Sequence, residues 1–238
     1  MIEGAIFDMD GVLVDNARYH IRAWQRLGKE FGTDLAADSI RSVFGQRNYE
    51  MVTALLGNAL SEDDCERLAQ RKEQVYRDMI EAEIEPVPGL LDFLADLKAC
   101  GIKTAVGTSG PPENVAMVLR GLRLESCWQT IVTGADVRRS KPAPDIFLMA
   151  AERLGFPARH CLVFEDSTAG IEAAHRAGCP CIALSTTHSV EELESYPALK
   201  IIPNFTRLRA GELRSLDSQA ENPFEQWSDS EPGQLPKG

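Results

Sequence analysis

The chain has 238 residues, with 25 Lys and Arg against 36 Asp and Glu, a formal charge of −11. That acidity argues against a polyanion groove or an anionic membrane surface as the main partner, so neither nucleic acid nor membrane is expected. With 44% hydrophobic and 26% charged residues the composition is globular, and the length suits one large domain or a main domain with a satellite.

Met1-Ile2-Glu3-Gly4 runs straight into the apolar Ala5-Ile6-Phe7, without the basic and long apolar regions of a targeting segment. Further apolar runs follow at Lys103–Gly107, Thr130–Thr133, Cys161–Phe164, Cys181–Leu184 and Lys200–Ile202. Each is nearly continuous rather than alternating, as expected of strands covered on both faces in a parallel sheet. Helical patterns separate them. Leu90, Leu91, Phe93, Leu94 and Leu97 repeat at helical spacing up to Gly101, and Pro111-Pro112 opens a helix carrying Val115, Val118, Leu119 and Leu122. Phe147 to Gly155 and Ala169 to Gly178 form two more.

From Asn16 to about Glu83 the alternation stops. Three helical patterns stand there: Ile21, Trp24, Leu27, Phe31; Met51, Val52, Leu55, Leu56; and Leu68, Val75, Tyr76, Met79, Ile80, the last opened by Ser61 as N-cap. Asn16 reads as the N-cap of the first, with Trp24 packing on Leu27. The fold class expected is α/β, a doubly wound, mainly parallel, Rossmann-like sheet with a helical cap inserted after the first strand. Residues 1–15 and 84–210 form the core, 16–83 the cap, and 211–238 an acidic tail, with Glu85-Pro86-Val87-Pro88-Gly89 as the stiff second linker. The six cysteines have no CxxC spacing and read as free thiols of a cytoplasmic protein, and Cys179-Pro-Cys181 lacks a nearby histidine for a metal. His160, His175 and His188 read as surface or helix-end residues.

In an open α/β sheet, ligands sit at the carboxyl ends of the strands, where this chain concentrates its reactive side chains. Asp8 and Asp10 follow the first strand and, two apart, face the same side. Thr108-Ser109-Gly110 offers hydroxyls and N–H groups after the second, as a phosphate requires. Lys141 stands before a helix between stiff segments, and Glu165-Asp166 follows another strand. Singly, Lys141 reads as a solvated charge and Asp166 as an N-cap; the combination is what points to a site.

Taken together the segments Asp8-x-Asp10-Gly11, Thr108, Lys141 and Glu165-Asp166 resemble the four motifs of the haloacid dehalogenase superfamily of phosphotransferases, over roughly residues 1–207. The inserted cap is similar to that of the subgroup containing β-phosphoglucomutase and many sugar-phosphate phosphatases, as are Tyr19-His20-Ile21-Arg22-Ala23-Trp24 and Arg71-Lys72. The resemblance implies that Asp8 is the nucleophile, that Asp10 is the acid and base, and that Thr108, Ser109 and Lys141 bind phosphate. His20 and Lys72 would organise substrate and Asp10. Where the mutase segment reads Gly-x-Ser-Arg, this chain has Gly45-Gln46-Arg47-Asn48, which leaves Arg47 as the candidate for a distal phosphate, one place out of register.

A carboxylate attacking a phosphate is opposed by about 5 kcal/mol for unit charges about 3.5 Å apart at an effective dielectric near 20. Mg²⁺ relieves that repulsion, and the resemblance implies that Asp8, Glu165, Asp166 and the main-chain carbonyl of Asp10 hold it. The resemblance implies that true dehalogenases lack the second aspartate. The activity expected is a Mg²⁺-dependent phosphatase that hydrolyses small phosphorylated metabolites, phosphomonoesters and sugar phosphates foremost, through an aspartyl-phosphate, with a monomer workable. β-Phosphoglucomutase, interconverting β-glucose 1-phosphate and glucose 6-phosphate on the same site, stays open as the alternative.

Overall fold

The computed structural model describes residues 1–57 and 60–213. The six apolar runs become strands: β1 (Gly4–Phe7), β2 (Lys103–Gly107), β3 (Thr130–Val132), β4 (Cys161–Glu165), β5 (Cys181–Leu184) and β6 (Lys200–Ile202). They form one sheet in the order β3-β2-β1-β4-β5-β6, and every pairing is parallel. The order reverses at β1, which pairs with β2 on one side and β4 on the other. The crevice for a ligand therefore opens beyond the carboxyl ends of β1 and β4.

Alternate residues of each strand feed two cores. Phe7, Leu162, Phe164, Ile182 and Leu184 pack on one face with α5 (Leu90–Ala99) and α6 (Pro112–Leu122). Ile6, Val163, Cys181 and Ala183 pack on the other with α7 (Asp145–Leu154) and α8 (Thr168–Ala177). Both faces are thus covered, which is why the strands read as unbroken apolar runs.

Between β1 and α5 lie α1 (Ala17–Glu30), α2 (Ala37–Arg41), α3 (Asn48–Leu56) and α4 (Glu62–Ile80). The five residues of α2 are too few to show a period in sequence, and this helix was absent from the expected three. Trp24, Leu27, Leu35, Ile40, Met51, Val52 and Cys65 give these helices a core of their own. Their two connections to the sheet lie side by side, Val87 N–H donating to Leu13 O at 3.0 Å and Val14 bridging Pro86. Ser61 caps α4 as expected, its Oγ accepting from Asp64 N–H at 3.2 Å.

Ala210–Glu212 forms a 3-10 turn and Leu213 is fully buried in the larger core, so packing continues just past residue 210. The rest of the expected acidic tail, 214–238, lies outside the described residues. Among the described residues no helix is long and apolar enough to cross a membrane.

An aromatic cluster fixes this last segment to the sheet: Phe205 stacks on Phe93 at 5.4 Å between centroids and meets Phe164 edge-on at the same distance. Phe205→Ala should lower the unfolding free energy by about 3–5 kcal/mol, read from urea midpoints at unchanged slope.

Candidate active site

Asp8 follows β1 directly, and its N–H donates to Phe164 O of β4 at 3.0 Å. The next turn presses against Asp166: Gly11 has φ +74°, and a Cβ there would stand 1.9 Å from Asp166 Oδ2. A side chain is therefore excluded on two counts, conformation and space. On the neighbouring strand Glu165 ends β4, and Asp166 follows it before the Ser167-capped α8.

Lys141 reaches into this corner fully buried. Its Nζ is 2.7 Å from Asp8 Oδ1 and 2.6 Å from Glu165 Oε1. Glu165 Oε2 accepts from the N–H groups of Asp166 and Ser167, both at 2.7 Å, and from Ser167 Oγ at 3.0 Å. Asp8, Glu165 and Asp166 can each aim an oxygen so that the three atoms lie within 4.8 Å of one another. Three buried carboxylates thus face one ammonium, an excess of negative charge that a hard divalent cation would relieve. The residues fit a metal of that kind. Since both Glu165 oxygens already have partners, Asp8 and Asp166 are the better-placed direct ligands.

Electrostatics distinguishes the two motif aspartates. Burial pushes Asp8 up to about 7 despite Lys141, with Glu165 and Asp10 adding to the rise. Burial also raises Asp166 well above the usual carboxylate range, helped by Glu165 and Asp8. For Lys141 burial opposes the charge, but Asp8 and Glu165 outweigh it and hold the ammonium above its ordinary range. Asp10 goes the other way. Burial works against its charge too, yet His20, Asn16 and Lys72 prevail and hold it below the usual value.

The partners of Asp10 come from the inserted helices. Asn16 Nδ2 donates to Asp10 Oδ1 at 2.6 Å, and His20 Nε2 lies 3.4 Å from the same oxygen. His20 Nδ1 is 2.7 Å from Lys72 Nζ, and its ring stacks on Tyr76 at 3.9 Å. Asn16 and His20 are four apart on or beside α1, as Lys72 and Tyr76 are on α4, so one facing stripe from each helix meets over Asp10. Asn16 occupies the N-cap position but makes no side-chain cap bond. Its side chain instead serves Asp10, Tyr76 and the Gly11 N–H, a correction to its reading as a cap.

Thr108 is buried, its Oγ1 accepting from Gly110 N–H at 3.0 Å, and Ser109 Oγ donates to Gly45 O of the helical insert at 2.6 Å. Asp8, Asp10, His20, Lys72, Thr108, Ser109 and Asp166 line one cleft of about 60 Å³. Lys141 and Glu165 lie behind it. Arg47 does not line it: its guanidinium bonds Glu50 Oε1 at 2.5 Å and Arg138 O at 3.2 Å, outside the cleft. The one-place offset seen in the sequence turns this side chain away. His188, expected at the surface or at a helix end, is buried just before the one-turn α9 (Val190–Leu193), whose Leu193 packs into the core. Sequence reasoning also missed Glu73, Asn114 and Thr187, none of which belongs to a recognisable local motif, and took Asn48 only as the residue standing in the motif arginine's place.

Over residues 5–184 the sequence matches the haloacid dehalogenase-like hydrolase family. The chain belongs to that family. It is 32% identical over 191 residues to a phosphorylated carbohydrates phosphatase of Thermotoga maritima, covering 80% of this chain and 88% of the relative. It is 31% identical over 185 residues to the β-phosphoglucomutase of Bacillus subtilis, covering 74% and 80%. A crystal structure of β-phosphoglucomutase from Clostridium difficile superposes with a TM-score of 0.82 at 28% identity, over 92% of this chain and 98% of that one. This hydrolase is accordingly an enzyme that hydrolyses or transfers phosphate.

Asn16 is fully buried with four polar partners in the hydrolase, Gly11, Asp10, His20 and Tyr76. Asn16→Ala should therefore cost about 1–3 kcal/mol of stability by chemical denaturation, since it orphans the buried Tyr76 hydroxyl and removes a donor from Asp10, while the Gly11 N–H keeps Val14 O at 2.8 Å.

Proposed function

We propose that this hydrolase is a Mg²⁺-dependent phosphatase of small phosphomonoesters, sugar phosphates foremost, acting through an aspartyl-phosphate on Asp8. The observation that carries the reading is the contrast between two aspartates two residues apart. Asp8 stands in a crowded carboxylate cluster with Lys141, and Asp10 stands on a proton-handling network with His20 and Lys72. Relatives named for phosphorylated carbohydrates and for fructose 1-phosphate, the latter from Escherichia coli, support the substrate class.

A bound Mg²⁺ would supply charge neutralisation between the nucleophile and the phosphoryl oxygens, held by Asp8 and Asp166 with Glu165 behind them. An Asp8 oxygen attacks phosphorus, and the bond from phosphorus to the ester oxygen breaks. Asp10, having taken up a proton before the attack, gives it to the departing alkoxide, which leaves as the alcohol. Asp10, now ionised, takes a proton from water, whose oxygen attacks the aspartyl-phosphate and releases inorganic phosphate and free Asp8. Lys141 and Thr108, with the N–H groups beside it, hold the phosphoryl oxygens. Residues 16–83 would act as the cap that excludes bulk water, docked through Ser109 and Gly45. Free cysteines at all six positions support a reducing, cytoplasmic setting.

The contact of His20 with both Asp10 and Lys72 favours one second reading, a mutase in which a sugar hydroxyl replaces water as acceptor. Supplying β-glucose 1-phosphate with a bisphosphate primer separates the two: release of phosphate without glucose 6-phosphate supports the phosphatase, and glucose 6-phosphate formation the mutase.

Asp8→Asn should abolish turnover while the circular dichroism spectrum is kept; full activity in that variant sinks the mechanism. Mg²⁺ added to chelator-treated protein should raise Tm, with about 2.7 kcal/mol of stabilisation at a hundredfold excess over Kd. The increment should shrink in Asp166→Asn.

A further inference from the structure

The insert side of the cleft is lined by Trp24, Phe44, Asn48, Met51, Lys72 and Glu73. Among the described residues on this side, Lys72 is the one lysine or arginine. An ammonium has three N–H donors, and each of these has a partner here. Nζ is 2.7 Å from His20 Nδ1, 2.8 Å from Glu73 Oε1 and 3.3 Å from Asn48 Oδ1. No donor remains for a ligand.

Glu73 is the reason. Only 5% of it is exposed, and burying a carboxylate there without partners would be costly. Oε1 accepts from Lys72 and from Asn48 Nδ2 at 2.6 Å, and Oε2 accepts from Asn114 Nδ2 at 2.5 Å. Asn114 lies on α6 beneath the insert, and Arg77 fixes its amide by donating to Oδ1 at 2.9 Å. Three donors fill three of the roughly four lone-pair sites of a carboxylate, leaving one to accept a further hydrogen bond. Arg47, the nearby guanidinium, lines an outer groove of about 720 Å³ and is held by Glu50. Asn48, Glu73 and Ser109 line both cavities and so lie between them.

We propose that Glu73 determines specificity: by neutralising Lys72 and fixing a carboxylate at the leaving-group end, it selects monophosphate esters of uncharged polyhydroxy alcohols and rejects esters bearing a second phosphate. A hydroxyl can donate to the open lone pair of Glu73. A second phosphate would meet an anion, find every Lys72 donor taken, and lose its hydration without replacement. The inference rests on the phosphatase reading for the reacting end but concerns the opposite end of the substrate.

The test compares kcat/KM for fructose 1-phosphate and fructose 1,6-bisphosphate, with Mg²⁺, in the wild type and in Glu73→Gln. The wild type should favour the monophosphate at least about tenfold, and the Gln variant should narrow that ratio about tenfold, less so at high salt, as Lys72 recovers its charge. Equal or better use of the bisphosphate by the wild type overturns the proposal whether or not the variant folds. So does an unchanged ratio in a folded variant. Loss of phosphate release from every ester in the wild type would sink the phosphatase reading itself, and this inference with it.

Discussion

One buried ammonium between two carboxylates is the constraint on which the rest of the structure depends. Lys141 Nζ touches Asp8 and Glu165, which are 133 and 24 residues away in sequence. Only the sheet order, with β1 beside β4 and the Lys141 loop entering above them, brings the three together. Removing one partner from such a group leaves an uncompensated buried charge, typically worth 3–5 kcal/mol. The neighbouring backbone is shaped to the same cluster. A Cβ on Gly170 would fall 1.7 Å from Glu165 Oε1, so the first turn of α8 comes close enough to Glu165 only because that residue is glycine.

The two motif aspartates owe their difference to the elements around them. Asp8 is surrounded by the sheet domain, where burial and like charges drive it towards protonation. Asp10 has its partners on α1 and α4, and their hydrogen bonds and charges keep it ionised more readily than a free carboxylate. Position of the inserted helices and protonation of Asp10 are therefore two aspects of one arrangement. Asn16 and His20 are what hold Asp10 below the usual carboxylate value against its burial.

What the sequence disclosed follows from the range of the interactions involved. The strands were legible because burial on both faces writes an unbroken apolar run into a few consecutive residues. Asp8, Asp10, Thr108, Lys141, Glu165 and Asp166 were legible because each sits at a strand or helix end where a short segment announces it. Lys72 was readable through its likeness to a mutase segment, but its partner Glu73 was not, since nothing local marks a glutamate as buried. Asn114 joins Glu73 across 41 residues, and Tyr76 joins Asn16 across 60. Asn16 looked like a cap because Asn at a helix start usually is one. Arg47 stayed a candidate phosphate ligand because its one-place offset, plain in the sequence, does not say which way the backbone turns the side chain.

The same distinction between local and global charge resolves how a chain of net charge −11 can serve an anionic substrate. At the sheet end, three carboxylates stand against one ammonium, and a divalent cation would bring that group to neutrality before any phosphate arrives. At the other end Lys72 and Glu73 cancel at 2.8 Å. Neither end has positive charge to spare in the metal-free state. On the proposed reading anion binding would then depend on the cation together with N–H and hydroxyl dipoles of the Thr108 turn, which are screened little in so enclosed a cleft. On the proposed reading the acidity of the molecule would act as a filter, making attraction of phosphate conditional on the metal and confining it to one end of the cleft.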